Sequence, residues 1–177
     1  FHGFYKQLLD IFLIRKNVRS TILINPYREE IKFPDIDTVL TGLHRREKAL
    51  YALLLCMGEE GLNFNLPRNA EAMPRYKARI ARIQQRFAEI YGMFGGDKES
   101  APDLSTPEIR RPIFSCLKRS LAKLTALYNP QDYNITKNRD GVFSVHVERE
   151  LVYVAELDTE EPVPLSDSDL LKRVTQA

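Results

Sequence analysis

STPEIRRPIFSCLKRSLAKLTALYNPQDYNITKNRDGVFSVHV, residues 105–147, is the stretch on which the architecture turns. Ser105 and Glu108 have the S-x-x-E spacing of a capping box, and Pro107 suits a first helical turn. Ile109, Ile113, Cys116, Leu117, Leu121, Leu124 and Tyr128 then recur at three- and four-residue steps, the signature of one apolar helix face. Arg111, Ser115, Lys118 and Ala122 fall on the opposite face, flanked by Arg119 and Lys123. One side of this helix can pack on a core while the other offers cations and a small hydroxyl. After Asn129-Pro130, Tyr133–Ile135 and Val142–Val147 alternate like strands. Lys137-Asn138-Arg139-Asp140-Gly141 lies between them, and Asp-Gly signals a hairpin turn.

The sequence on either side supplies a core for this unit. Thr21–Ile24, Asn25–Arg28 and Glu29–Phe33 read as strand, turn, strand, with Pro34 ending the second strand. From Thr41 or Gly42 to about Met57 the pattern is helical. Leu43, Glu47, Leu50, Leu54 and Met57 form one row, widened by Ala49, Leu53 and Cys56, and Gly58 fits the C-terminal cap. This helix is expected at the middle of the core. Leu62, Phe64 and Leu66 alternate as a short strand would. A long helix begins near Pro74, with Tyr76, Ile80, Ile83, Phe87, Ile90 and Phe94 as its seam. Arg75, Lys77, Arg79, Arg82 and Arg86 crowd its remaining surface, either as a solvated face or as a phosphate-facing one. Leu151–Val154 reads as a further strand, and Ser166-x-x-Asp169 as the cap of a last short helix through about Val174.

Composition bounds the function. Net charge is only +2, so nucleic-acid binding must come from local clustering. Cations do concentrate between Arg68 and Arg119, whereas Glu156, Asp158, Glu160, Glu161, Asp167 and Asp169 come late. Cys56 and Cys116 each sit in a helical pattern among apolar residues, as core thiols do, and make no secreted disulfide framework. No Cys/His set has zinc spacing, and Asp35 and Asp37 lack a third ligand. No metal and no cofactor is expected, and the default compartment is the reducing cytoplasm. Phe1–Ile14 is very apolar, but Lys6 and Asp10 interrupt it, and it is shorter than the ~20 residues of a span. It also lacks the features of a signal peptide, so no membrane association is expected. Phe1 in place of Met is the start expected of a fragment or a processed chain.

The order of elements resembles the winged-helix effector domain of OmpR/PhoB-type response regulators. Leu40-Thr41-Gly42 followed by Glu47-Lys48-Ala49-Leu50 is similar to that family's entry into its first helix. Leu117-Lys118-Arg119 with Leu121-Ala122-Lys123-Leu124 resembles its recognition helix, and Tyr133–Ile135 with Asp140–Phe143 its strand and wing. The likeness covers roughly residues 20–150, although 59–103 is longer than the family pattern. Uncharacterised Bacteroidetes winged-helix-like proteins are also similar, through Glu47–Tyr51 and Arg149–Val152. The resemblance implies an α+β, helix-rich, winged-helix-like fold. Three main helices would carry a small N-terminal antiparallel sheet and a C-terminal β-hairpin.

The expected organisation is an apolar helical arm (1–19), a winged-helix-like domain (20–155) with an enlarged insertion (59–103), and an acidic tail with a short helix (156–177). The arm is expected to dock on the domain; its alternatives are a homo-oligomer contact or an upstream domain. The expected function is DNA binding in transcription regulation. Arg111, Ser115, Lys118, Arg119 and Lys123 would act from the helix, and Lys137, Asn138 and Arg139 from the hairpin tip. The alternative is a non-catalytic protein-interaction or self-association module. No phosphate loop, nucleophile elbow or zinc motif points to an enzyme; Ser115 and Cys116 have no evident base, and His44 and His146 read as ordinary side chains.

Overall fold

The structure is a computed structural model that describes residues 3–8 and 19–177. In chain order its elements are β1 (Ile22–Asn25), β2 (Glu30–Phe33), β3 (Thr38–Val39), α1 (Arg45–Met57), β4 (Leu62–Asn63), α2 (Met73–Met93) and α3 (Pro107–Ala122). There follow β5 (Ile135–Lys137), β6 (Val142–Val145), β7 (Val152–Val154), β8 (Val163–Pro164) and α4 (Asp169–Gln176). Residues 3–8 are helical, and Phe4, Tyr5 and Leu8 there are 61%, 69% and 48% exposed. Most of the expected N-terminal arm lies outside the described residues.

β1 and β2 form the expected antiparallel pair, with Ile24 opposite Ile31. Asn25 accepts the Arg28 amide at 3.2 Å, and Glu29 takes a left-handed φ of 51° to turn the chain. The sheet extends further than expected. β3 adds to β2, and on the other side β7 lies parallel to β1 and pairs with β8, giving the order β3-β2-β1-β7-β8. The N-terminal sheet is therefore a five-stranded mixed sheet, completed by strands from the other end of the chain. Alternation puts Ile22, Ile24, Ile31, Phe33, Val152 and Val154 on one buried face.

α1 occupies the centre, as its sequence predicts. Glu47 and the whole run Ala49–Cys56 are buried, so the helix is covered on nearly every side. It starts at Arg45 rather than at Thr41 or Gly42, because Gly42 has a left-handed φ of 74°. Gly58 ends it, its N–H donating to the Leu54 carbonyl, and Arg149 donates to the Cys56 carbonyl at 2.8 Å. Tyr51 links α1 to the large sheet: its hydroxyl donates to the Tyr133 carbonyl at 2.7 Å, and the Tyr133 hydroxyl donates to the Ser20 carbonyl at 2.6 Å. Burial pushes the Tyr51 phenol well above its ordinary pKa and the Cys56 thiol up to about 12.

α2 buries Ile80, Ile83, Phe87 and Ile90 and packs against α1 and α4. Its seam is thus core rather than a coiled-coil surface. The acidic tail is also part of this body. Leu165, Leu170 and Val174 are buried, and the cap of α4 is Ser168, whose hydroxyl accepts the Leu171 amide at 3.2 Å, instead of Ser166. Among the described residues, no helix is long and apolar enough to cross a membrane.

The second sheet is three-stranded and antiparallel, in the order β4-β6-β5. β5 and β6 are the predicted hairpin; β4, from the connection between α1 and α2, pairs with β6. The last strand in sequence is therefore the central one. α1 packs on β6 and also on α3, which brings the hairpin sheet and α3 together.

Candidate nucleic-acid interface

α3 begins with Pro107 in its first turn, where a missing N–H costs nothing. The predicted capping box does not form. Thr106 is the N-cap and makes no side-chain capping bond. The hydroxyls go to Asp103 instead: Ser105 Oγ donates to Oδ1 at 2.6 Å and Thr106 Oγ1 to Oδ2 at 3.0 Å. These bonds, the Ser105 hydroxyl first, hold the Asp103 carboxyl below its usual pKa. The helix buries Ile113, Phe114, Leu117 and Leu121, ends at Ala122 rather than near Tyr128, and leaves Ile109 39% exposed. Arg111, Ser115, Arg119, Ala122 and Lys123 are exposed, as the 100° periodicity requires, and Lys118 is half-buried.

In the hairpin, Lys137 lies opposite Phe143, which lies opposite Leu62 across β4. Cross-strand partners share a face, so this row points toward α3. There Phe143 meets Phe114 of α3 with ring centroids 4.6 Å apart, and Phe64 joins them at 6.4 Å from Phe143 and 6.0 Å from Phe114. The three phenylalanines floor a cleft of about 730 Å³ between α3 and the hairpin sheet. Its rim carries Arg110, Arg111, Ser115 and Lys118 from α3, Lys137 from β5, and Tyr76 and Leu66 on the far side. Among the described residues, no carboxylate lines it. Arg110 lies over the Phe64 ring at 4.4 Å, while the Lys118 and Lys137 ammonium groups lie 5.8 and 5.3 Å from the Phe143 centroid. Burial lowers the pKa of Arg110, whose guanidinium also donates to the Leu104 carbonyl at 2.8 Å.

The cleft is held in shape by polar ties. Asn65 donates to the Asp140 carbonyl at the hairpin tip, and Arg79 of α2 donates to the Asn63 and Asn65 carbonyls, each at 3.1 Å. Asn138 organises the tip: its side-chain oxygen accepts the Asp140 and Val142 amides, both at 2.9 Å. Gly141 completes the turn with a φ of 78°.

Of the residues expected to bind, the cleft brings together Arg111, Ser115, Lys118 and Lys137. Arg119 and Lys123 continue along the exposed face of α3, and Asn138 and Arg139 are exposed at the tip. The α2 cations divide. Arg75, Lys77 and Arg82 are exposed, whereas Arg79 braces β4 and Arg86 points inward to the Met57 sulfur at 3.3 Å. Asp35 and Asp37 have local partners, Thr21 and Lys32. The aromatic floor is the part that sequence reading missed. Phe64, Phe114 and Phe143 lie on three separate elements, and no local pattern connects them.

Comparisons with protein-family models, with curated proteins and with solved structures return no match for this chain.

Proposed function

We propose that the chain carries a winged-helix-like module that binds duplex DNA without catalysing a reaction. The succession α1-β4-α2-α3-β5-β6, with β6 central in its sheet, supports the winged-helix reading, in which α3 is the recognition helix and β5–β6 the wing. The observation that carries the functional reading is the cleft itself. Cations of α3 and of the wing converge on one surface, and no carboxylate among the described residues lines it. Such a surface attracts phosphate even though the whole chain is nearly neutral. In this reading Arg111, Ser115, Lys118 and Arg119 address base edges and phosphates from α3, with Lys123 on phosphate. Lys137, Asn138 and Arg139 contact the backbone or the minor groove. Asn138 would use its amide nitrogen, since its oxygen serves the turn.

The test is fluorescence anisotropy of labelled mixed-sequence duplex DNA with the wild type and the triple variant Arg111→Ala/Lys118→Ala/Arg139→Ala. The expected outcome is binding that the triple variant weakens by at least about a hundredfold, at roughly 1 kcal/mol or more per lost phosphate or base contact. Equal affinity of the two proteins would reject the assignment.

A further inference from the structure

We infer that the cleft between α3 and the wing takes an unpaired nucleotide, so that DNA with a single-stranded end binds better than blunt duplex. This rests on the nucleic-acid reading of the same face and adds a ligand for a part of it that a duplex does not use. The rim cations suit phosphate, but the floor is three phenylalanine rings. Bases in a duplex are stacked on one another and offer no ring face to such a floor. An unpaired base does, and aromatic side chains beneath a cationic track are how single strands are held. The volume of about 730 Å³ lies within the roughly 300–1,000 Å³ of small-ligand pockets. Phe143 is the most accessible of the three rings, half-buried where Phe64 and Phe114 are buried, and the two ammonium groups over it are within reach of the phosphate of a base that enters there. The Asn65 side-chain oxygen and the Ser115 hydroxyl line the same space and can meet a base edge. Leu66, 68% exposed, forms an apolar lip on the opposite side. The ties from Arg79 and Asn65 fix the sheet side of the cleft before any ligand arrives.

The experiment compares three probes at one salt concentration: a blunt duplex, the same duplex with a four-thymine overhang, and the overhang strand alone. The wild type is run beside Phe143→Leu, which keeps apolar bulk but loses the ring, and Leu66→Asp, an exposed change that puts a carboxylate on the lip. Circular dichroism checks that each variant is folded. The expected result is a tenfold or greater preference for the overhang duplex over the blunt one, about the gain from stacking one base. Both variants should erase this ratio. A ratio of one in the wild type, with salt-sensitive binding of the blunt duplex, overturns the cleft assignment and leaves the duplex reading standing. A preference that survives in both variants puts the base elsewhere and also overturns it. Binding of the overhang duplex and the strand without any binding of the blunt duplex supports the cleft and rejects the duplex reading. No binding of any probe rejects both.

Discussion

Asp103 shows how one side chain can redirect a helix start. It gathers the Ser105 amide at 3.0 Å, the Ser105 hydroxyl and the Thr106 hydroxyl, so neither hydroxyl is left to cap α3. The Ser105–Glu108 spacing was a sound local signal, but an aspartate two residues upstream is an equally good partner for a serine, and spacing alone does not rank the two. The consequence can be measured. These bonds favour the ionised carboxyl, so the folded-state pKa lies below the unfolded value of about 3.9. The stabilisation is complete above the unfolded value and disappears as pH falls through the lower folded one. Asp103→Ala should therefore lower stability by an amount that is constant near neutral pH and shrinks below about pH 4. Urea unfolding of both proteins across that range checks it; a difference that stays constant to the lowest pH would contradict it. Cations raise a related difficulty at this scale. Arg75, Lys77, Arg79, Arg82 and Arg86 look alike in the sequence, yet Arg79 spends its guanidinium on two backbone carbonyls and Arg86 on a thioether. Partners so distant along the chain leave no trace in a local pattern.

Among the elements, β4 is as short as any and has a disproportionate effect. It is two residues long, yet it ties the hairpin to the connection after α1 and places Phe64 in the cleft floor. Gly61 makes its approach possible, with φ 66° and ψ −162°, a region open essentially to glycine. A Cβ there would also strike the Phe143 backbone carbonyl. Gly61→Ala should destabilise the protein by at least about 2 kcal/mol, combining backbone strain with overpacking. It should also raise amide exchange in β6; denaturant melts and hydrogen exchange read both, and a change under about 0.5 kcal/mol, the ordinary range for surface substitutions, would contradict it. The larger elements were far more legible. The α1 rows, the α2 seam and the Asp-Gly hairpin each carry a periodicity long enough to fix type and face. Boundaries were less so: Gly42, ahead of α1, and the 123–128 turns, after α3, sit inside stretches whose apolar spacing extends the helix past its backbone limits.

For the whole molecule, the main departure from expectation is the parallel pairing of β1 with β7. Val152–Val154 was readable as a strand because its residues are β-branched and aromatic. Its partner was not readable, because alternation specifies a buried face and not a neighbour. That pairing draws in residues 156–177, which the sequence presents as an acidic tail with a short helix. Three apolar side chains, Leu165, Leu170 and Val174, anchor the segment, each contributing about 1.5–3 kcal/mol by burial. A chain ending at residue 155 should therefore lose its cooperative thermal transition; calorimetry showing an unchanged transition would contradict this. The same arrangement separates charge. Glu156, Asp158, Asp167 and Asp169, with the single cation Lys172, line one depression beside the β1–β2 turn, and the α3 and wing cations line the cleft of the other sheet. A net charge of +2 thus coexists with a cleft whose charged lining residues are all cations. The most direct test of the DNA-binding account is the salt dependence of duplex binding between about 50 and 200 mM, where each neutralised phosphate contributes a slope of about −0.9 in log K against log salt. Six of the seven cations on α3, its C-cap and the wing carry contacts in this reading: Arg111, Lys118, Arg119, Lys123, Lys137 and Arg139; the seventh, Arg110, is engaged by the Leu104 carbonyl and the Phe64 ring. The account predicts a wild-type slope approaching about −5, reduced by roughly 3 in the Arg111/Lys118/Arg139 triple alanine variant. A slope near zero, or one the triple variant leaves unchanged, would contradict it.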